Sequence, residues 1–208
     1  MYRKKTYRRR APRRRYRRRM TAKRVKQIVE SSVNWKFRDS SFTNSVSDSA
    51  TINELTQIAQ GTAGTAASDQ RVDESIKIKS IFGRLCMSVA DTTNIVRVII
   101  MQWNKSTAPT SAAGPLNATA TVLSHYNVDA NKGQYRVLYD KSYAMTFDGP
   151  GAKSIKFFLK FKKPLVCNYT SSSSTSGYKG RIYAYLISDS SAASHPSVDQ
   201  NYRLKFCD

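Results

Sequence analysis

Residues 154–163 read SIKFFLKFKK, an alternation of apolar and basic side chains that is typical of a β-strand with one face in a core. One face carries Ile155, Phe157, Leu159 and Phe161, and the other carries Lys156, Lys160 and Lys162 with Phe158 among them. We expect the first face to fill a core and the second to present the lysines at a spacing of about two residues. Protection of an exposed sheet edge by lysine is the competing interpretation.

Segments of similar texture, rich in β-branched and aromatic residues, follow one another between polar joints. They predict eight strands, at residues 36–45, 50–57, 75–90, 94–104, 134–147, 154–163, 179–189 and 201–207. The segment IVRVIIM at 95–101 is almost continuously apolar, which is typical of a strand covered on both faces. Arg97 interrupts this segment, and we expect its guanidinium to find a polar partner there.

Helical patterns are scarce between residue 35 and the C-terminus, where only 116–125 fits a short helix. In 201–207, apolar side chains alternate with Arg203 and Lys205. Many strands joined by long polar loops favour an all-β antiparallel sandwich or barrel.

The first nineteen residues, MYRKKTYRRRAPRRRYRRR, have an entirely different composition, with twelve basic residues and no acidic one. The basic residues are Arg3, Lys4, Lys5, Arg8, Arg9, Arg10, Arg13, Arg14, Arg15, Arg17, Arg18 and Arg19. Because such dense like charges repel each other, we predict a disordered arm over residues 1–20. Arginine binds phosphate through its planar fork, so nucleic-acid binding is the favoured use. A nuclear-localisation signal or a solubilising tail is the alternative, and one basic run can serve both import and binding.

Residues 21–34, TAKRVKQIVESSVN, predict a short amphipathic helix. Its apolar stripe consists of Ala22, Val25, Ile28, Val29 and Val33, while Lys23, Arg24 and Lys26 lie elsewhere around it. We expect these cations to continue the basic arm, although an ordinary packed helix with a solvated charged face would show the same pattern. The predicted domains are therefore the arm at 1–20, the helix at 21–34 and a β domain at 35–208.

The net charge of +21 is unevenly distributed along the 208 residues. Residues 1–38 hold 17 basic residues and one acidic residue, a net of +16, whereas 39–208 hold 18 and 13, a net of +5. This asymmetry points to a nucleic acid or an anionic membrane as partner. The arm has no apolar face to bury in lipid, the chain has no long apolar run, and no apolar segment follows the basic start, so we expect neither a membrane partner nor a secretory signal.

Catalytic signatures are missing from the sequence. The two histidines, His125 and His195, fall in predicted loops without spaced metal ligands, and no CxxC, HExxH or GxSxG motif is present. We therefore predict a protein that is not an enzyme and has no catalytic residue, metal site or cofactor. The odd number of cysteines argues against a disulfide framework. Whether calcium binds between subunits stays open; the candidate ligands are Asp69, Asp73, Glu74 and Asp129.

The order of an Arg-rich arm, a short basic helix and an eight-strand β domain resembles the single jelly-roll coat proteins of small icosahedral viruses. Similar chains are the satellite tobacco necrosis virus type and the capsids of circular Rep-encoding single-stranded DNA viruses, the circovirus-like group. The segments that carry the resemblance are AKRVKQIVESSVNWKFR, SDQRVDESIKIKSIFGRL, IVRVIIMQWN, GQYRVLYDKSYAMTF, IKFFLKFKKPLVCNY and GYKGRIYAYLISDSS. Their order and spacing, and not any single motif, make it specific. The dense arginines with interspersed Tyr and Pro are more similar to the DNA virus group.

The resemblance implies an eight-stranded antiparallel jelly-roll sandwich that assembles into a T = 1 shell of about sixty copies. It implies an arm and helix that face a single-stranded genome, DNA being favoured over RNA, and a location in the virion and, during assembly, the host nucleus. A nuclear import receptor and a cell-surface receptor are further expected partners. If their faces point inward, Lys156, Lys160 and Lys162, with Arg203 and Lys205, would extend the inner lining. The small polar side chains of the loops 105–120, 170–176 and 190–198 favour an exterior position for them. The alternatives are the capsid of an RNA satellite virus and a cellular nucleic-acid-binding protein that does not self-assemble.

Overall fold

Eight antiparallel strands build the fold of the residues that the structure, a computed structural model, describes: 33–109, 114–117, 121–128, 133–149, 151–191 and 194–208. The strands are β1 (Lys36–Ser45), β2 (Thr51–Glu54), β3 (Ser75–Ser88), β4 (Thr93–Trp103), β5 (Tyr135–Thr146), β6 (Ala152–Asn168), β7 (Arg181–Ser188) and β8 (Ser197–Cys207). All eight predicted strands are confirmed. The predicted arm, and the predicted helix as far as residue 32, lie outside the described residues.

The strands form two four-stranded sheets, β1-β8-β3-β6 and β2-β7-β4-β5. Pairing is nested along the chain, because β1 pairs with β8, β2 with β7, β3 with β6 and β4 with β5. This nesting of hairpin-like pairs across two sheets is the jelly-roll arrangement. The predicted fold class is therefore confirmed for the β domain, and Lys36–Asp208 form one compact unit.

Two strand bounds differ from the prediction for identifiable reasons. β6 continues to Asn168 through a shift in its pairing with β3, and Pro164, which has no N–H for the ladder, lies in that irregular stretch. β8 begins at Ser197 because Val198 and Gln200 both point into the core. The Gln200 side-chain amide donates to Asn44 Oδ1 at 2.8 Å, which gives this buried polar group a partner. Because residue 200 is polar, the apolar alternation of β8 is not visible in the sequence before Tyr202.

The main core lies between the sheets and consists largely of Ile, Leu and Val side chains from both of them. A second cluster covers the other face of the β2-β7-β4-β5 sheet and includes Ile99, Met101 and Trp103 of β4 with Leu116 from the following loop. β4 and β7 are thus covered on both faces, which confirms the prediction for 95–101. The β1-β8-β3-β6 sheet contributes one face to these clusters, and among the described residues its other face is exposed.

Arg97 has the polar partner that the sequence required. Its Nε and Nη2 donate to the two carboxylate oxygens of Asp140 on β5 at 2.9 and 2.7 Å, and its Nη1 donates to the carbonyls of Val122 and Ser124. Tyr126 donates to the same carboxylate at 2.6 Å. These bonds fasten the loop after β4 onto the sheet.

The prediction of a short helix at 116–125 is wrong for the described part of that segment, residues 116–117 and 121–125. Leu116 instead forms an isolated antiparallel bridge with Tyr126, and Thr121–Ser124 form a turn. The carbonyls of Val122 and Ser124 in this turn accept hydrogen bonds from Arg97, a long-range contact that outweighs the local helical pattern.

No helix among the described residues is long and apolar enough to cross a membrane.

Candidate nucleic-acid interface

Strand β6 separates its apolar and basic residues as its sequence predicted. Phe157 is buried, and Ile155, Leu159 and Phe161 pack against the core. Lys156, Lys160 and Lys162 are exposed on the opposite face. β6 lies at the edge of its sheet, so protection of that edge remains an alternative role for its lysines.

The strand register places further cations beside these lysines. Three rows run across β1, β8, β3 and β6: Phe37, Lys205, Ser80 and Lys160; Asp39, Arg203, Phe82 and Phe158; Ser41, Asn201, Arg84 and Lys156. Successive rows are about 6.6–6.8 Å apart, because alternate residues of a strand share a face. We call this solvent-facing surface the basic face and define it by Lys77, Arg84, Lys156, Lys160, Lys162, Arg203 and Lys205.

The basic face has an excess of positive charge. The carboxylates on it, within the four strands, are Asp39 and Asp199. Arg203 donates to both oxygens of Asp39 at 2.7 and 2.6 Å, and this hydrogen bonding, with the charges of Arg203 and Arg38, holds the pKa of Asp39 below its usual value. Arg84, Lys156 and Lys160 make no ion pair with any described carboxylate.

Edge protection does not explain the whole of this surface. Arg84 lies on β3 and Arg203 on β8, and both strands are paired on both sides within the sheet. Arg84 is also directly opposite Lys156, and like charges at opposed positions destabilise a sheet. Cations on interior strands therefore favour a surface that meets an anion.

Sequence reasoning had missed Lys77 and Arg84. Both alternate with buried residues of β3, Lys77 with Ile76 and Ile78, and Arg84 with Leu85. The same period-two signal that identified the β6 lysines was thus present in 75–90. What the sequence lacked was the register that brings these residues together with β6 and β8.

Exposed phenylalanine rings interrupt the charges of the basic face. Phe158 is 61% exposed, Phe37 45% and Phe82 36%, and Phe82 and Phe158 are directly opposed on β3 and β6. Next to Phe82, a depression of about 350 Å³ crosses strands β1, β8 and β3. It is lined by Asp39, Ser40, Ser41, Phe82, Arg84, Asn201, Tyr202 and Arg203.

Close packing supports the centre of this face from below. Gly83 lies between Phe82 and Arg84 and is paired with Phe157 of β6, and a Cβ at Gly83 would come within 2.2 Å of the Phe157 ring. The Phe157 ring stacks on Tyr139 of the other sheet at 4.5 Å between centroids. The glycine thus lets the two sheets meet closely beneath the exposed residues of β3.

A second group that sequence reasoning missed is the fully buried Arg71. Its guanidinium lies 4.0 Å over the Tyr169 ring and donates to Gln60 Oε1 and to backbone carbonyls, including those of Ile58 and Ser174. All these partners belong to loops, so Arg71 holds loops together and has no site chemistry of its own. No local pattern around residue 71 predicts this role.

The candidate calcium ligands do not converge in the part of the chain that the structure describes. Asp69 pairs with Arg38 at 2.9 Å, the Asp73 carbonyl accepts from Arg71, and Asp129 is outside the described residues. No group of three or more His, Cys, Asp or Glu side chains is placed to hold a metal among the described residues.

The three cysteines are unpaired thiols, and burial raises the pKa of Cys167 to about 12.

Comparisons with known proteins return structural similarity to viral proteins at low sequence identity. No family model and no curated protein matches the chain. Its structure is similar to that of Desmodium yellow mottle tymovirus, with a TM-score of 0.36 and 10% identity over 82% of this chain and 86% of that one. It is also similar to infectious bursal disease virus Gx strain (TM-score 0.33, 11% identity, 83% of this chain and 31% of that one) and to the 60-mer BFDV capsid protein (0.29, 9%, 83% and 90%). Because these TM-scores are below 0.5, we take the jelly roll from the strand order of this chain.

Proposed function

We propose that this protein is a viral capsid protein that self-assembles into a closed shell and packages a single-stranded genome. The observation that carries the proposal is the combination of a jelly roll with a basic face and an N-terminal segment of extreme positive charge. A sandwich whose task is to tile a surface needs no catalytic or cofactor chemistry. The protein's role is accordingly structural, and its location is the virion.

Charge neutralisation is the proposed mechanism. Residues 1–38 hold 17 basic residues, so a T = 1 shell of about sixty copies would offer roughly 1,000 positive charges to its genome. The proposed phosphate contacts are the twelve cations of the arm, then Lys23, Arg24 and Lys26, and Lys156, Lys160 and Lys162 on the basic face. Arginine and lysine release counterions from the phosphate backbone, so binding weakens steeply as salt rises. Contacts to phosphates carry no sequence information directly, so we expect little sequence specificity.

Single-stranded DNA is the favoured cargo because the dense arginines with interspersed tyrosine and proline resemble the circular DNA virus group. Phosphate neutralisation itself does not distinguish DNA from RNA, so an RNA satellite capsid is the first alternative. The second alternative is a cellular nucleic-acid-binding protein with a basic tail, which would bind in the same way without forming shells.

The basic N-terminus would also direct import if the genome replicates in the nucleus. Residues 1–20 fused to a cytoplasmic reporter should carry it into the nucleus, and a reporter that stays in the cytoplasm would end this part of the proposal. The loops 105–120, 170–176 and 190–198 are proposed to face outward, where their small polar side chains would meet receptors or antibodies.

Electron microscopy of the purified full chain tests the capsid proposal, with nuclease-protected nucleic acid extracted from the same sample. Uniform shells with protected nucleic acid are the expected result. A chain that stays monomeric at every salt concentration and pH, with or without added nucleic acid, would favour the cellular binding protein. Replacing Lys156, Lys160 and Lys162 together by Gln should reduce the packaged nucleic acid per shell, and an unchanged content would remove these lysines from the lining.

A further inference from the structure

The phenylalanine pair at the centre of the basic face is exposed among charges. Phe82 and Phe158 occupy opposed positions on β3 and β6 and are 36% and 61% exposed. Exposed aromatic rings forgo the favourable free energy of burial, and a protein core would meet them with apolar neighbours. Here their neighbours on the face are cations, so the geometry calls for a partner that offers both negative charge and flat apolar surfaces.

Cations surround the two rings on several sides. Lys156 and Lys160 lie two residues before and after Phe158 on the same face of β6, at about 6.6–6.8 Å along the strand. Arg84 has the same relation to Phe82 on β3, and Arg203 is directly across from Phe82 on β8. The alternation of ring and cation therefore runs both along the strands and across them.

We infer that Phe82 and Phe158 stack on unpaired bases of a single-stranded nucleic acid whose phosphates are held by the surrounding cations. This inference rests on the proposed function, which supplies the nucleic acid, and adds the part of the molecule that the face recognises. Base stacking on aromatic side chains accompanies a basic groove in proteins that bind single strands. A duplex hides the flat surfaces of its bases, so the face prefers single strands.

The depression beside Phe82 suits the same ligand. It is lined by Arg84, by the Arg203–Asp39 pair and by the polar side chains of Ser41 and Asn201, and the Ser41 hydroxyl donates to Asn201 Oδ1 at 2.6 Å. A charged wall and an aromatic floor with neutral hydrogen-bonding groups match a nucleotide. An apolar peptide would leave Arg84, which pairs with no described carboxylate, without an anionic partner, whereas Arg203 is already paired with Asp39.

A second copy of this chain is the competing occupant of the face. Two copies that met through this surface by a two-fold axis would bring the seven cations of each basic face together. Such juxtaposition of like charge opposes association. Charge complementarity therefore favours the nucleic acid.

Binding of the purified full chain to two oligomers of equal length tests the inference. One is a dT oligomer and the other is an abasic sugar-phosphate oligomer, which has the same phosphates and no bases. Measured at a salt concentration that weakens the phosphate contacts, the ratio of the two affinities reports base contacts alone. The double variant Phe82→Leu/Phe158→Leu, which keeps apolar side chains without rings, should lower this ratio about fivefold or more.

Two matched variants complete the experiment. Phe147→Leu changes a ring that is 71% exposed in the turn after β5, outside the four strands that carry the basic face, and should leave the ratio unchanged. Lys156→Gln/Lys160→Gln should weaken both oligomers alike and flatten the dependence on salt. Thermal unfolding of each variant establishes that the fold is retained.

Each outcome decides between the two proposals. A ratio that is unchanged in the double variant overturns base stacking, while shells and salt-dependent binding would leave the capsid function standing. A double variant that binds both oligomers normally but no longer assembles would assign the rings to a contact between copies and overturn stacking as well. If the unaltered chain neither assembles nor binds, the proposed function itself fails.

Discussion

Gly83 of β3 leaves the space that the Phe157 ring occupies beneath the sheet. Gly83→Ala would place its Cβ 2.2 Å from the Phe157 ring, so we expect a loss of about 1–3 kcal/mol in the free energy of unfolding. Urea denaturation followed by tryptophan fluorescence measures this loss. Gly151→Ala is the control, because among the described residues its Cβ would meet Val89 alone, at 3.4 Å.

The same clash predicts a specific rescue. Phe157→Leu makes room beneath residue 83, so the double variant Gly83→Ala/Phe157→Leu should be more stable than the sum of the two single losses implies. Strictly additive losses would mean that the ring does not meet residue 83. The glycine would then need another explanation.

The Arg97–Asp140 pair predicts a pH-dependent contribution to stability. Burial alone would raise the pKa of Asp140, but hydrogen bonds from Arg97 and Tyr126, with the charge of Arg97, outweigh it and lower the pKa. A lowered folded pKa stabilises the fold above the usual carboxyl pKa, and this contribution is lost as the pH falls through the folded value. Asp140→Asn should therefore cost about 1–3 kcal/mol at neutral pH.

Denaturation at several pH values checks this linkage. The difference in unfolding free energy between the unaltered chain and Asp140→Asn should narrow as the pH is lowered from about 5 to about 2. Asp39→Asn removes an exposed pair with Arg203 and should have little effect at either end of this range. A gap for Asp140→Asn that persists in acid would contradict the assignment.

At the scale of the strands, the opposed pair Arg84 and Lys156 should lower the stability of the sheet while it favours the binding of nucleic acid. Because like charges face each other across β3 and β6, Arg84→Gln should raise the unfolding free energy at low salt by about 0.2–1 kcal/mol. The same change should weaken nucleic-acid binding and reduce its salt dependence by about one phosphate contact.

Arg136→Gln is a suitable control for this prediction. Arg136 is an exposed cation on β5 of the other sheet, so its loss should raise stability little and leave the binding of nucleic acid to the basic face intact. If Arg84→Gln were no more stable than Arg136→Gln at low salt, the opposed charges would not be a source of strain in the sheet.

How far the sequence predicted the strands depends on whether the deciding contacts were local. Period-two alternation identified the faces of β6 and of the end of β8, whereas β1 and β3 were predicted from their β-branched and aromatic composition between polar joints. The true start of β8 was hidden by Gln200, a core-facing polar residue with a distant partner, Asn44. The rows of the basic face, and the loop contacts of Arg71, depend on register and long-range packing that no local pattern contains.

At the scale of the whole molecule, the jelly roll has two sheets with different surroundings. β4 and β7 of the β2-β7-β4-β5 sheet are covered on both faces, whereas the basic face of the β1-β8-β3-β6 sheet is exposed among the described residues. In the proposed shell, we expect the two sheets to face different surroundings. The basic face should line the interior, where the genome supplies the compensating charge.

A three-dimensional reconstruction by electron cryomicroscopy of the particles formed by the full chain tests this account most directly. We predict a closed shell in which β1, β8, β3 and β6 face the lumen, with density for nucleic acid against Phe82, Phe158 and the cations around them. A shell with this sheet on its outside, or a chain that forms no shell, would contradict it.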